Sequence, residues 1–222
     1  SISITHIYKV FILRIYIEIK IMQKIFTGVG SRDTPLLILT LIFYLSRKLA
    51  SEGWGMRSGG ARGADSAFYN GYMDYFNKVT NIHYLNVTVY VPDHKHKAFH
   101  LYRRNCKVLT DMDNKEEAYK IAESVIPHWE KCNEYAKSLH GRNPYQVLGD
   151  DLKSPSNVFI CWAPITKDSI KGGTRTAYEI AKNNNVRIIN LANPKHYNKV
   201  LQMLNLSESK LKQLAGIHDE TT

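Results

Sequence analysis

The feature that most restricts the fold of this chain is a rhythm in its sequence. Three times a short β-prone run gives way to a cluster of glycines and small residues, and a helix-forming stretch follows. Residues 24–27 run into Gly28-Val29-Gly30-Ser31-Arg32, and residues 54–57 into Ser58-Gly59-Gly60-Ala61-Arg62-Gly63-Ala64-Asp65. Residues 158–162 lead, after a loop, to Lys171-Gly172-Gly173-Thr174-Arg175-Thr176-Ala177-Tyr178-Glu179. Two more β-prone runs lie at 86–91, stopped by Pro92, and at 186–191. Between them the spacing predicts helices. The first is capped by Asp33 or Thr34, with Pro35 in its first turn, an apolar stripe of Leu36, Leu37, Leu41, Leu45 and Leu49, and Gly53 as its stop. Others are expected from Ala64 or Asp65 to about 77, over 115–134 with a break near Pro127, over 144–148, in 172–183 and over 195–204. Parallel neighbours need a long crossover, so strands alternating with helices imply parallel pairing. The expectation is an α/β protein: one domain built on an open, doubly wound parallel sheet of five strands.

The 222 residues suit one domain with elaborations. With 44% hydrophobic and 23% charged residues, the chain is outside the collagen-like, disulfide-scaffold and disordered classes. Cys106, Cys132 and Cys161 are odd in number and lack Cys-x-x-Cys spacing, which suggests neither a disulfide framework nor a zinc knuckle. No run approaches the ~18 uninterrupted apolar residues of a membrane span, and no membrane partner is expected. Residues 1–21 are crowded with Ile and Tyr but interrupted by Lys9, Arg14, Glu18 and Lys20, unlike a secretion signal. The simplest account makes Met22 the initiator and 1–21 a non-native or irregular extension, with an extra edge strand as the alternative. The domain is then 22–205, and 206–222 a polar tail expected to fray. The net charge is +10; losing three basic residues and one acidic residue with 1–21 still leaves +8. That balance favours polyanionic partners, although it also serves solubility.

In a doubly wound sheet, ligands sit beyond the carboxyl ends of the strands where strand order reverses. All three glycine clusters are expected there. In the first, backbone N–H groups can approach an anion and Arg32 can close over it; a tight turn with a solvated arginine is the alternative. The second excludes bulk where a strand becomes a helix, and lacks both Walker and Gly-x-Gly-x-x-Gly spacing; Asp65 is either a site residue or a helix cap. The third puts hydroxyls and N–H groups at a helix N-terminus, where the dipole favours phosphate, with Glu179 a few residues on. Asp93, His94, His96 and His100 fit no metal-ligand spacing, and Lys95 and Lys97 between them oppose a dication, so no metal is expected. Tyr102, Arg103 and Arg104 could stack on and neutralise a nucleic-acid strand, or form ordinary surface.

Taken in order, these clusters resemble the DNA-processing protein A (DprA/Smf) family of the wider Rossmann-like SLOG group. Gly30-Ser31-Arg32 is similar to that family's Gly-Ser/Thr-Arg, and residues 58–65 to its Ser-Gly-x-Ala-x-Gly-Ile-Asp signature. Arg142-Asn143 resembles its Arg-Asn pair, and Thr176-Ala177 its Thr-Ala. The run Arg142-Asn143-Pro144-Tyr145-Gln146-Val147-Leu148-Gly149 looks like single-domain, DprA-like proteins of bacteriophages. The resemblance implies nucleotide or single-stranded DNA binding in DNA processing and recombination, in the cytoplasm of a bacterial or phage-infected cell, without a cofactor and with a homodimer left open. It assigns phosphate contacts to Gly28, Gly30, Ser31, Arg32, Ser58, Gly59, Gly60, Ala61, Arg62, Gly63, Asp65, Arg142, Asn143, Gly172, Gly173, Thr174, Arg175 and Thr176. Residues 171–179 are also similar to the lonely-guy (LOG) phosphoribohydrolases, which implies as alternative an N-glycosidase on nucleoside monophosphates, with Arg142 orienting and Glu179 catalytic. Lys171 stands where those enzymes have proline and Arg175 where they have glycine, which weighs against catalysis. A nucleotide-signal sensor or sponge is the third option.

Overall fold

The computed structural model describes residues 24–78 and 85–217; the expectations for 1–21 concern residues outside this range. Six strands, β1 (Ile25–Gly30), β2 (Gly55–Ser58), β3 (Val87–Val91), β4 (Cys106–Val108), β5 (Val158–Trp162) and β6 (Arg187–Asn190), form one sheet in the order β4-β3-β2-β1-β5-β6. Every pair is parallel. The chain winds outward from β1 to β4, then returns to lay β5 against the free side of β1. The reversal therefore falls between β1 and β5, where Gly30 is in register with Trp162. This is the α/β, Rossmann-like doubly wound sheet that the sequence rhythm predicts, with one strand more. The short β4 escapes sequence reading because Cys-Lys-Val is too brief to alternate.

Alternate strand residues feed two cores. Phe26, Met56, Val158 and Ile160 pack with Leu41, Ile42, Leu45, Phe68, Tyr72 and Leu211 on one face, under helices α1 (Leu36–Ser51), α2 (Ala64–Lys78), α8 (Pro194–Met203) and α9 (Glu208–Leu214). Val29, Phe159 and Cys161 pack on the other face with Val147, Ala177 and Ile180. The second face is covered by α4 (Lys115–Glu123), α5 (Glu134–Gly141), α6 (Asn143–Leu148) and α7 (Arg175–Asn183), while α3 (Lys97–Leu101) flanks β3 and β4. Three expectations are corrected. The helix expected over 115–134 ends at Glu123, and a separate helix begins only at Glu134, where the Asn133 carboxamide caps Ala136 N–H at 2.8 Å. The tail is not frayed over 208–214: Ser207 caps α9, and Leu211 is fully buried against the first core. Nor does either predicted side chain cap α1, because the Thr34 hydroxyl donates to Ser31 O at 2.7 Å and Pro35 occupies the capping position.

The element that shapes the site is α6. Its carbonyls accept from a side chain of β1 and one of the loop before β5: the Thr27 hydroxyl donates to Gln146 O at 2.6 Å and the Ser156 hydroxyl to Val147 O at 3.1 Å, both buried. These bonds dock α6 against β1 and hold Arg142, Asn143 and Gln146 under the carboxyl end of the sheet.

Candidate phosphate-binding site

A cavity of about 390 Å³ opens beyond the carboxyl ends of β1 and β5, within the range that small ligands occupy. Of the predicted site residues, Gly30, Ser31, Arg32, Ala61 and Asp65 line it from the first two loops, Arg142 and Asn143 from α6, and Gly172, Gly173 and Thr174 from the third loop. The three distant turns therefore converge on one rim.

The first two loops are tied together rather than free. Gly30 has no room for a side chain: a Cβ there would lie 2.6 Å from Ala64 Cβ and 2.8 Å from Trp162 O. Gly63, at φ +85°, similarly abuts Ser31 O, at 2.5 Å from an added Cβ. Asp65 closes this contact. Its carboxylate accepts from Gly30 N–H at 2.8 Å and Ala61 N–H at 3.2 Å, so it works as a clamp between two loops rather than as a simple cap. Burial pushes its pKa up to about 6 against the opposing pull of the Arg142 guanidinium and the backbone N–H groups of Ala61, Gly30 and Gly59. Ser31 N–H donates to Trp162 O at 2.9 Å. The N–H groups of Gly30, Ser31, Ala61 and Ala64 are consequently committed within the protein, whereas those of Arg32, Gly60, Arg62 and Gly63 have no acceptor among the described residues.

The third loop differs. Lys171 N–H is bonded to Pro164 O and Arg175 N–H to Gly172 O, but the N–H groups of Gly172, Gly173 and Thr174 have no acceptor among the described residues. They stand at the N-terminus of α7, where the helix dipole favours an anion. Arg32 and Lys171, both exposed, add two cations to the cavity rim against one carboxylate, Asp33.

On the floor, Arg142 is only 8% exposed. Its Nη1 donates to Gly59 O and to Tyr90 O, binding α6 to the second loop and to β3, while its Nε is buried without a partner. Asp65 and Arg142 flank Gly59: a Cβ there would lie 2.9 Å from Asp65 Oδ2 and 3.3 Å from Arg142 Cζ. Gln146 is 2% exposed and its Nε2 is also buried without a partner. His140 lines the wall, its Nδ1 paired with Thr176 Oγ1 at 2.9 Å; burial, reinforced by Arg142, holds its pKa below the usual imidazole range. Ala136, Leu139 and His140 were not signalled by any motif, and Gln146, although within the run 142–149, was not among the predicted site residues.

The remaining predicted residues lie elsewhere. Gly28 and Ser58 are strand residues joined by a 2.7 Å bond from the Ser58 hydroxyl to Gly28 O. Gly59 contributes its carbonyl to Arg142, and Gly60 (φ +67°) packs on Val89 and Tyr102. Arg62 is exposed and off the cavity. Thr176 is occupied by His140. Arg175 and Glu179 line a separate depression with Asp168 and Ser169, where Glu179 accepts from the Ser169 hydroxyl. Ala177 faces the crevice and Glu179 is two residues on, about 200° around the helix, so the predicted catalytic carboxylate points away. Tyr102 is 7% exposed and packs on Tyr69 with ring centroids 4.4 Å apart, so it offers no stacking platform. His94 pairs with Asp111 at 3.0 Å and His96 caps α3; among the described residues no trio of His, Cys, Asp or Glu could hold a metal ion. Among these residues no helix is long and apolar enough to cross a membrane.

No family model and no curated protein matches the chain. Among solved structures, it is similar to the molybdenum cofactor carrier protein MCP of Chlamydomonas reinhardtii, at 13% identity and a TM-score of 0.43 over 87% of this chain and 99% of that one. It is also similar to DNA processing protein A of Helicobacter pylori, a structure concerned with single-stranded DNA binding, at 15% identity and a TM-score of 0.48 over 87% of this chain and 79% of that one.

Proposed function

We propose that the protein binds a nucleotide, free or as one unit of single-stranded DNA, by holding its phosphate at the N-terminus of α7. The observation that carries this reading is the set of three adjacent N–H groups, at Gly172, Gly173 and Thr174, left without acceptors beside Arg32 and Lys171 over a cavity. An anion bonded there completes donors that the fold leaves open. The cavity admits one nucleotide unit, and a strand would run on across the exposed, basic rim. A role in DNA processing or recombination follows from the motif resemblance as the setting of this activity.

Binding of an oligothymidylate, followed by fluorescence anisotropy from low to physiological salt, tests the strand form. The logarithm of the affinity is expected to fall linearly with log salt, each phosphate contact contributing a slope of about −0.7. Arg32→Ala and Lys171→Ala should each make that slope shallower by about 0.7. A flat salt response, or variants with the native slope, would reject it. Glu179→Gln, which changes a side chain outside the crevice, is expected to bind nucleotide as the native protein does; loss of binding would show that the site has been misplaced.

A further inference from the structure

We propose that a single strand of DNA, anchored by one phosphate at α7, leaves the crevice over the second loop and runs onto a basic ledge built by residues 95–104. The inference rests on the phosphate assignment above and gives that ligand its footprint and its direction. Residues 94–110 hold five Lys or Arg residues and three His, and no acidic residue. Lys95, Lys97, His100, Arg103 and Arg104 are exposed, and none of them forms an ion pair among the described residues. The carboxylates that flank this stretch are taken up. Asp93 accepts from the backbone N–H groups of Lys95 and His96 at 2.7 and 2.8 Å, and Asp111 pairs with His94. Unpaired cations crowded on one surface repel one another, and a polyanion laid across them relieves that repulsion.

The ledge is continuous with the crevice. The segment that leads into α3 follows β3, so it starts at the same edge of the parallel sheet as the cavity. Burial, and then the nearby guanidiniums of Arg142 and Arg32, hold the His96 pKa below the usual imidazole range, which puts His96 beside the crevice. The second loop bridges the remaining gap. A Cβ on Gly63 would lie 2.8 Å from Arg32 Cα, and one on Gly60 would lie 3.0 Å from the Tyr102 ring, next to Arg103. On this loop the Arg62 side chain is exposed, and the N–H groups of Arg62 and Gly63 have no acceptor among the described residues. From β1 to β4 is three strand spacings, about 14 Å. At about 3.4 Å each, roughly four stacked nucleotides cover it.

Two features select a single strand over a duplex. The cavity that anchors the ligand admits one nucleotide, so paired strands cannot enter it. Leu101, 61% exposed, stands among the cations and next to the exposed His100 ring, and together they offer unpaired bases an apolar and aromatic surface that a duplex would leave unused.

Fluorescence anisotropy with oligothymidylates of increasing length, beside isothermal titration with GMP, tests this. Affinity for the native protein should climb with length to about five nucleotides and then level off. The triple variant Lys97→Ala, Arg103→Ala, Arg104→Ala changes exposed side chains only. For an octamer it should make the slope of log affinity against log salt shallower by about 2, at about 0.7 per phosphate contact, and it should bind GMP as the native protein does. Lys182→Ala, Lys195→Ala, Lys199→Ala removes the same charge from exposed positions on the β6 side and should keep the native slope. A native slope in the first variant, an equal loss in both, or a loss in the second alone would overturn the ledge, as would weaker GMP binding by the first variant. Where GMP still binds the native protein, those outcomes defeat this inference and leave the phosphate assignment standing. If neither GMP nor any oligomer binds, the phosphate assignment fails with it.

Discussion

Asp65→Ala is expected to be the most destabilising single substitution near the site, costing about 3–5 kcal/mol at neutral pH. It strips the acceptor from Gly30 N–H and Ala61 N–H and leaves the Arg142 guanidinium buried without its opposing charge. For a domain of this size that corresponds to a fall in melting temperature on the order of 10 °C. Asp65→Asn keeps the shape, retains one acceptor and isolates the charge. Because burial raises the folded-state pKa to about 6 from 3.8, the folded protein binds this proton more tightly than the unfolded chain. Its contribution is thus largest below 3.8 and is lost as pH rises through 6. The stability of the native protein relative to Asp65→Asn should therefore shrink by roughly 2 kcal/mol between pH 4 and 7, as read by urea unfolding. His140, whose depressed pKa works in the opposite sense below its unfolded value, is common to both proteins and largely cancels. A gap that widens with pH would mean that the Arg142 attraction outweighs burial.

The second large effect is on binding. Thr174 has φ −71°, which proline adopts without strain, and it precedes the first residue of α7, so Thr174→Pro removes one open N–H without breaking a helical bond. A hydrogen bond to a charged group contributes about 1.5–3 kcal/mol, so the affinity for a phosphate-bearing ligand should drop roughly 10- to 100-fold while the melting temperature stays close to native. Unchanged affinity would remove this amide from the site.

The comparison of sequence with structure divides along physical lines. Strands such as 158–162 were legible because an apolar run bounded by turn residues can do little else in an alternating chain, and β5 has those bounds. The convergence of the three loops was legible because a doubly wound sheet places every strand's carboxyl end on one side. What no motif revealed is the division of labour among the loops. Glycine-rich turns look alike in sequence, yet Asp65 takes up one donor from each of the first two and none from the third. The contribution of α5 was hidden for a related reason: Leu139 and His140 gain meaning only when Thr27, 119 positions from Gln146 in sequence, docks the following helix α6 against the sheet. The placement of Glu179 outside the cavity could have been read from the sequence. Thr176, Ala177, Ile180 and Ala181 are buried on one stripe of α7, and helical periodicity places 179 off it.

Amide chemical shifts during a titration with GMP test the account most directly. Saturable shifts at Gly172, Gly173 and Thr174, with Gly30 and Ala61 N–H staying held by Asp65 and moving little, are the predicted pattern. Unmoved amides at 172–174 under saturating nucleotide would contradict it.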